Sequence, residues 1–129
     1  MIALLGALQN ELSGVAKSMT VDRQAAGRPW HVVQGKFAGK TILLVRTGMG
    51  KDCALSTTEY ILENYPVTRI ISFGFAGALV AERKVGDVVL CQRLYCESDG
   101  SDRAIYSSDA DLLALAAQAM KDREFGPFT

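Results

Sequence analysis

The sequence is poor in the residues that build metal and relay sites. It has one histidine, His31, and three cysteines, Cys53, Cys91 and Cys96. A lone histidine argues against a Ser-His-Asp relay or a multi-histidine metal site, and His31, inside a strand-like run beside Trp30, reads as structural. The odd cysteine count does not suggest a disulfide framework, and Cys91 and Cys96 without a nearby histidine are a poor zinc signature. Small, partly buried thiols of a reducing cytoplasm are the simpler reading. Surplus charge is also lacking: 14 Lys+Arg balance 14 Asp+Glu. The pI of about 6.6 gives no electrostatic case for nucleic acid. No apolar run reaches the roughly 18 residues of a membrane helix. Residues 1–8 carry no basic flank and are interrupted by Gly6, so they read as a first strand and not a signal peptide. No metal, cofactor, nucleic-acid or membrane partner is expected.

What is present is a repeated strand-then-glycine pattern. In Arg69-Ile-Ile-Ser-Phe-Gly-Phe-Ala-Gly-Ala-Leu79 an apolar run suited to a buried parallel strand stops in a glycine turn. Gly74 and Gly77 let the backbone turn and approach a ligand. The pattern recurs where residues 41–46 run into Thr47-Gly-Met-Gly-Lys51, and where residues 2–5 run into Gly6-Ala-Leu-Gln-Asn-Glu11. Ligands of open α/β sheets bind beyond the carboxyl ends of the strands, so three such ends define a candidate pocket. An ordinary strand end with small residues for packing accounts for the first stretch equally well.

The 129 residues, 49% hydrophobic, fit one domain. Strands are expected at residues 1–5, 30–34, 41–45, 69–73 and 85–90, with a hairpin turn at Gly39. Residues 21–28, 79–84 and 97–108 read as loops. A helix over residues 11–19 puts Leu12, Val15, Ala16 and Met19 on one face, with Asn10 as a candidate N-cap. A second, over residues 52–64, buries Ala54, Leu55, Thr58, Ile61 and Leu62 and stops at Pro66. A third, over residues 110–123, is capped by Ser108 or Asp109, with Leu112, Leu113, Leu115, Ala116 and Ala119 as its apolar face. Gly126 and Pro127 close the chain. The order β-α-ββ-α-β-β-α predicts a mixed, mostly parallel central sheet flanked by helices, an α/β class of three α/β/α layers.

Gly6-Ala-Leu-Gln-Asn-Glu11, Thr47-Gly-Met-Gly-Lys51, Phe73-Gly-Phe-Ala-Gly-Ala-Leu79 and Lys84-Val-Gly-Asp-Val-Val89 together resemble the nucleoside phosphorylase/nucleosidase superfamily. They look closest to the branch containing methylthioadenosine/S-adenosylhomocysteine nucleosidase, futalosine hydrolases and hopanoid-associated phosphorylase-like proteins. The resemblance covers the N-terminal part of the family's domain. It implies one truncated phosphorylase-like domain over residues 1–129. The family's ribose-binding Met-Glu segment and base-protonating Asp lie in the part not covered.

The resemblance implies hydrolysis of the N-glycosidic bond of a purine nucleoside such as methylthioadenosine or S-adenosylhomocysteine. Glu11 takes the place of the family's water-positioning carboxylate, although a first-turn Glu favoured by the helix dipole is the bland alternative. Gly74, Phe75, Ala76 and Gly77 match the loop along the substrate. Phe75 stands where the family carries a hydroxyl residue, which removes a donor or signals another substrate; packing inward is its other reading. Met49 matches a position beside the pocket, with core packing an equal alternative. Lys51 reads as a surface or helix-start residue. The superfamily's phosphorylases clamp phosphate with an Arg in the early glycine loop, an Arg before the later one and a Ser within it. Here those places hold no Arg, Ser72 and Phe75, which favours hydrolysis over phosphorolysis. Two further outcomes remain open: phosphorylase-like transfer, or an incomplete, non-catalytic nucleoside-binding domain. A homo-oligomer is expected, because family members assemble and truncation leaves a sheet edge open.

Overall fold

The computed structural model describes residues 1–97 and 103–121. The elements are β1 (Ile2–Gly6), α1 (Gln9–Lys17), β2 (Thr20–Ala26), β3 (His31–Phe37), β4 (Lys40–Arg46), α2 (Lys51–Asn64), β5 (Arg69–Ser72), β6 (Arg93–Glu97), β7 (Arg103–Ser107) and α3 (Ala110–Lys121). They fall into two compact units, Met1–Ala76 and Gly77–Thr129.

The first unit is a mixed five-stranded sheet in the order β2-β3-β4-β1-β5. β1 pairs in parallel with β4 (Leu4 opposite Leu44) and with β5 (Leu4 opposite Ile71). β2, β3 and β4 form an antiparallel meander. The β3–β4 hairpin turns through Ala38 and Gly39, both with positive φ (47° and 75°). That is the two-residue turn whose twist matches its strands. Alternation along the strands sorts the core. Ala3, Leu5, Val32, Leu43 and Val45 pack with Ile61 of α2 on one face. Leu12 and Ala16 of α1 line a cavity with Val33 and Leu44 on the other. The helix–sheet–helix layering follows from those two faces.

Four expectations for this unit are corrected. α1 starts at Gln9, and its N-cap is Leu8, not Asn10. The Leu8 N–H is satisfied by the Glu11 carboxylate reaching back at 2.8 Å, so Asn10 falls inside the first turn. Residues 21–28 are not loop: β2 occupies most of them. Its polar sequence is that of a solvated edge strand, exposed along nearly its whole length. The buried stripe of α2 is Thr57 and Ile61; Leu55 and Leu62 stand 55% and 52% exposed. The helix is rotated towards its β-branched residues, which the hydrogen bonding of Thr57 explains below.

In the second unit β6 and β7 pair as an antiparallel ribbon. Residues 85–90 form no strand. The chain turns at Gly86 (φ 102°), with Asp87 N–H bonded to Lys84 O and Lys84 N–H to Asp87 Oδ2. Apolar residues there find no ladder partner among the described residues, and that partner makes a strand. Part of the expected loop 97–108 is instead β7. Asp109 caps α3, its Oδ1 accepting the Leu112 N–H at 2.9 Å. Leu112, Leu113 and Ala116 are half-buried and Met120 buried, whereas Leu115 and Ala119 are exposed. Asp99, Gly100, Asp102, Arg123, Gly126 and Pro127 lie outside the described residues. No helix among the described residues is long and apolar enough to cross a membrane.

Candidate active site

The three parallel strands β1, β4 and β5 end on the same edge of the sheet. Their following loops are laced together by backbone bonds. Thr47 N–H reaches Gly6 O at 2.9 Å, Gly48 N–H reaches Ala7 O at 3.2 Å, and Phe73 N–H reaches Leu5 O at 2.9 Å. Between them lies a cleft of about 440 Å³, lined by Gly6, Glu11, Thr47, Ser72, Gly74 and Phe75 among others.

Glu11, in the first turn of α1, links two of the loops. Its Oε2 accepts the Leu8 N–H at 2.8 Å, and its Oε1 accepts the Phe75 N–H at 3.0 Å. A Cβ at Gly74 would run into Oε1, so glycine lets the carboxylate lie against the β5 loop. The Leu8 N–H, then the Phe75 N–H and a contribution from Ala7, hold the Glu11 carboxyl below its ordinary pKa, against an opposing effect of burial. The group is therefore anionic at neutral pH. An anion fixed there can orient a water and stabilise positive charge developing on a bound sugar. None of the residues lining the cleft is lysine or arginine.

The β4 loop is held from behind. Thr47 is buried, and its Oγ1 donates to Gly48 O at 2.9 Å. Thr57 of α2, fully buried, donates its Oγ1 to Thr47 O at 3.3 Å. Gly48 has φ 83°, and a Cβ on it would lie 2.8 Å from Pro29 Cβ, so only glycine suits that position.

Of the residues singled out in the sequence, Glu11, Gly74, Phe75 and Ala76 line the cleft together. Met49 does not line it, although Gly48 and Gly50 on either side do; its side chain is 71% exposed. Gly77 begins the second unit, and nothing lies within 4 Å of a Cβ placed there. Lys51 is the exposed first residue of α2. Phe75 is 80% exposed, so its ring does not pack inward. Thr47 and Thr57 were not singled out. Thr47 stands in a quoted motif, whereas the only signal for Thr57 is a hydroxyl one helical turn before Ile61. Among the described residues no group of His, Cys, Asp and Glu is placed to hold a metal.

Comparison with known proteins gives a consistent picture. The sequence profile described as Phosphorylase superfamily matches residues 1–125. The 5'-methylthioadenosine/S-adenosylhomocysteine nucleosidase of Shewanella denitrificans is 30% identical over 89 residues, which cover 69% of this chain and 39% of that protein. The crystal structure of the nucleosidase of the same name from Neisseria meningitidis, in complex with methylthio-immucillin-A, superposes with a TM-score of 0.88 at 24% identity. That match covers 98% of this chain and 60% of the other. Futalosine hydrolase of Helicobacter pylori gives a TM-score of 0.86 at 20% identity, covering 99% and 60%. The fold is thus that of these enzymes, and the chain spans about two fifths of the curated relative's length.

Proposed function

Because the chain belongs to the phosphorylase superfamily, we propose that its cleft holds a purine nucleoside and supports hydrolysis of the N-glycosidic bond. Methylthioadenosine and S-adenosylhomocysteine are the substrates to test first. The observation that carries this reading is the ionised Glu11 carboxylate, tied to the Leu8 and Phe75 N–H groups beside a cleft without a lining cation. In this reading Glu11 orients a water towards the anomeric carbon. The water oxygen forms the new C–O bond as the C–N bond breaks. The base departs with the electron pair of that bond and takes up a proton, and the sugar keeps a hydroxyl. Gly74 and Ala76 give the substrate a close backbone wall, with Phe75 and Met49 as further candidate contacts. Phosphate has no cation among the lining residues to clamp it.

The chromatographic assay is release of free purine base from methylthioadenosine, S-adenosylhomocysteine, adenosine and inosine, with and without phosphate, beside Glu11→Ala. Release without phosphate, lost in Glu11→Ala, supports the nucleosidase. Release only with phosphate replaces it with a phosphorylase. No release from folded protein leaves a binding-only domain.

We assign both compact units to one phosphorylase-like domain acting in the cytoplasm. We also propose a homo-oligomer, because β5 ends the sheet order and Ile70 and Ile71 on it are each 38% exposed. Light scattering after size-exclusion chromatography tests this: a monomer at high concentration sinks it.

A further inference from the structure

The face of the first unit's sheet covered by α1 carries a second, smaller cavity. It holds about 100 Å³ and shares no lining residue with the cleft. Its roof is α1, through Gln9, Leu12 and Ala16, and its floor is the β2–β3–β4 meander. The register explains its chemistry. His31 stands directly opposite Arg46, and Val33 directly opposite Leu44, so cross-strand pairs share the face. One end of the floor is therefore cationic and donor-rich, and the rest is aliphatic.

The Arg46 Nε is buried and has no hydrogen-bond partner among the described residues. A buried guanidinium N–H without an acceptor calls for a bound water or ion. Among the described residues no aspartate or glutamate lines the cavity, and its other polar side chains, Gln9, Gln24 and His31, can each turn an N–H donor into it. The guanidinium fork matches a carboxylate. The volume is well below that of a nucleoside; for scale, a dry cavity of about 150 Å³ accepts a six-carbon ring.

We infer that this cavity is a binding site for a short aliphatic monocarboxylate, its carboxylate on Arg46 and His31 and its tail among Leu12, Val33 and Leu44. The site is independent of the proposed nucleosidase reaction.

The probe is propionate, added to the full chain and followed by ¹⁵N-resolved NMR and by thermal melting. Propionamide and sodium chloride at matched ionic strength are the controls. The expected result is saturable shifts confined to residues around His31, Val33, Leu44 and Arg46, with a rise in Tm that neither control reproduces. Arg46→Met weakens binding by about tenfold or more, as loss of a charge-assisted bond requires. Should that variant not fold, Ala16→Leu fills the cavity from the helix side and leaves the cation in place; it too loses propionate. Equal binding of propionamide, undiminished binding in a folded variant, or shifts centred elsewhere overturn the assignment. Absence of saturable shifts in the wild type means that the cavity holds water only, and overturns it as well.

Discussion

The Glu11 carboxylate and the Phe75 N–H, 64 residues apart in sequence, meet at 3.0 Å. This bond joins the first turn of α1 to the loop after β5. The same carboxylate holds the Leu8 N–H, so both of its oxygens face donors. Glu11→Gln keeps the shape and loses the charge, and it turns an amide NH2 towards one of the two N–H groups. The expected outcome is a loss of base release of about 100-fold or more. Stability falls by about 1 kcal/mol, below the usual range for a hydrogen bond to a charged group because the carboxylate is only partly buried and solvent screens it. Steady-state assay and urea unfolding of the two proteins check this. An active Gln variant ends the case for Glu11.

The direction of the Glu11 shift sets a pH signature. Its folded-state pKa is lowered, chiefly by the Leu8 N–H and then the Phe75 N–H. Its stabilising contribution is therefore complete above the ordinary carboxylate range and is lost as pH falls through the folded-state value. The Tm difference between wild type and Glu11→Gln should be constant near neutrality and shrink only below the ordinary pKa of glutamate. Melting curves from neutral pH into acid measure it. A gap that does not change across the series means the carboxylate is not held as described.

Gly74 and Gly77 bracket the same loop and separate position from composition. A Cβ on Gly74 runs into Glu11 Oε1, and one on Gly77 meets nothing within 4 Å. The obstructing atom in the first case is the end of a flexible side chain, so Gly74→Ala should fold. It displaces Oε1 from the Phe75 N–H, and kcat should fall by about tenfold or more, as a misplaced catalytic group requires. Gly77→Ala should leave kcat within about twofold and serves as the control. Equal effects of the two substitutions would show that the loop resists any side chain and that Glu11 is not the reason.

The parts of this architecture visible in the sequence were the local ones. Strand-then-glycine patterns mark the ends of β1, β4 and β5, and Glu11 lies five residues beyond the first of those glycines, Gly6. What escaped was decided by partners distant in sequence. β2 reads as loop because its residues are polar, yet β3 supplies its ladder. Residues 85–90 have the composition of a strand but, among the described residues, no partner to make one. The rotation of α2 escaped because leucine outranks threonine in an apolar pattern, while the Thr47 carbonyl accepts a hydrogen bond from the Thr57 hydroxyl. The His31–Arg46 pairing depends on hairpin register, which is set by the turn at Ala38 and Gly39.

Thr57 carries the last prediction. It is fully buried, and its hydroxyl donates to the carbonyl of Thr47, whose own hydroxyl serves Gly48 O in the cleft loop. Thr57→Val keeps the volume and the β-branch but leaves a buried carbonyl without its donor. The cost is about 1–3 kcal/mol. Thr57→Ser restores the donor and gives up one methyl, which costs about 0.8 kcal/mol for the lost burial. If the bond positions the loop, the serine variant should keep the wild-type KM for nucleoside while the valine variant raises it. If Thr57 merely fills space, valine should be the milder change. Denaturant midpoints and KM for the two variants decide between these outcomes, because the ranking of valine and serine reverses.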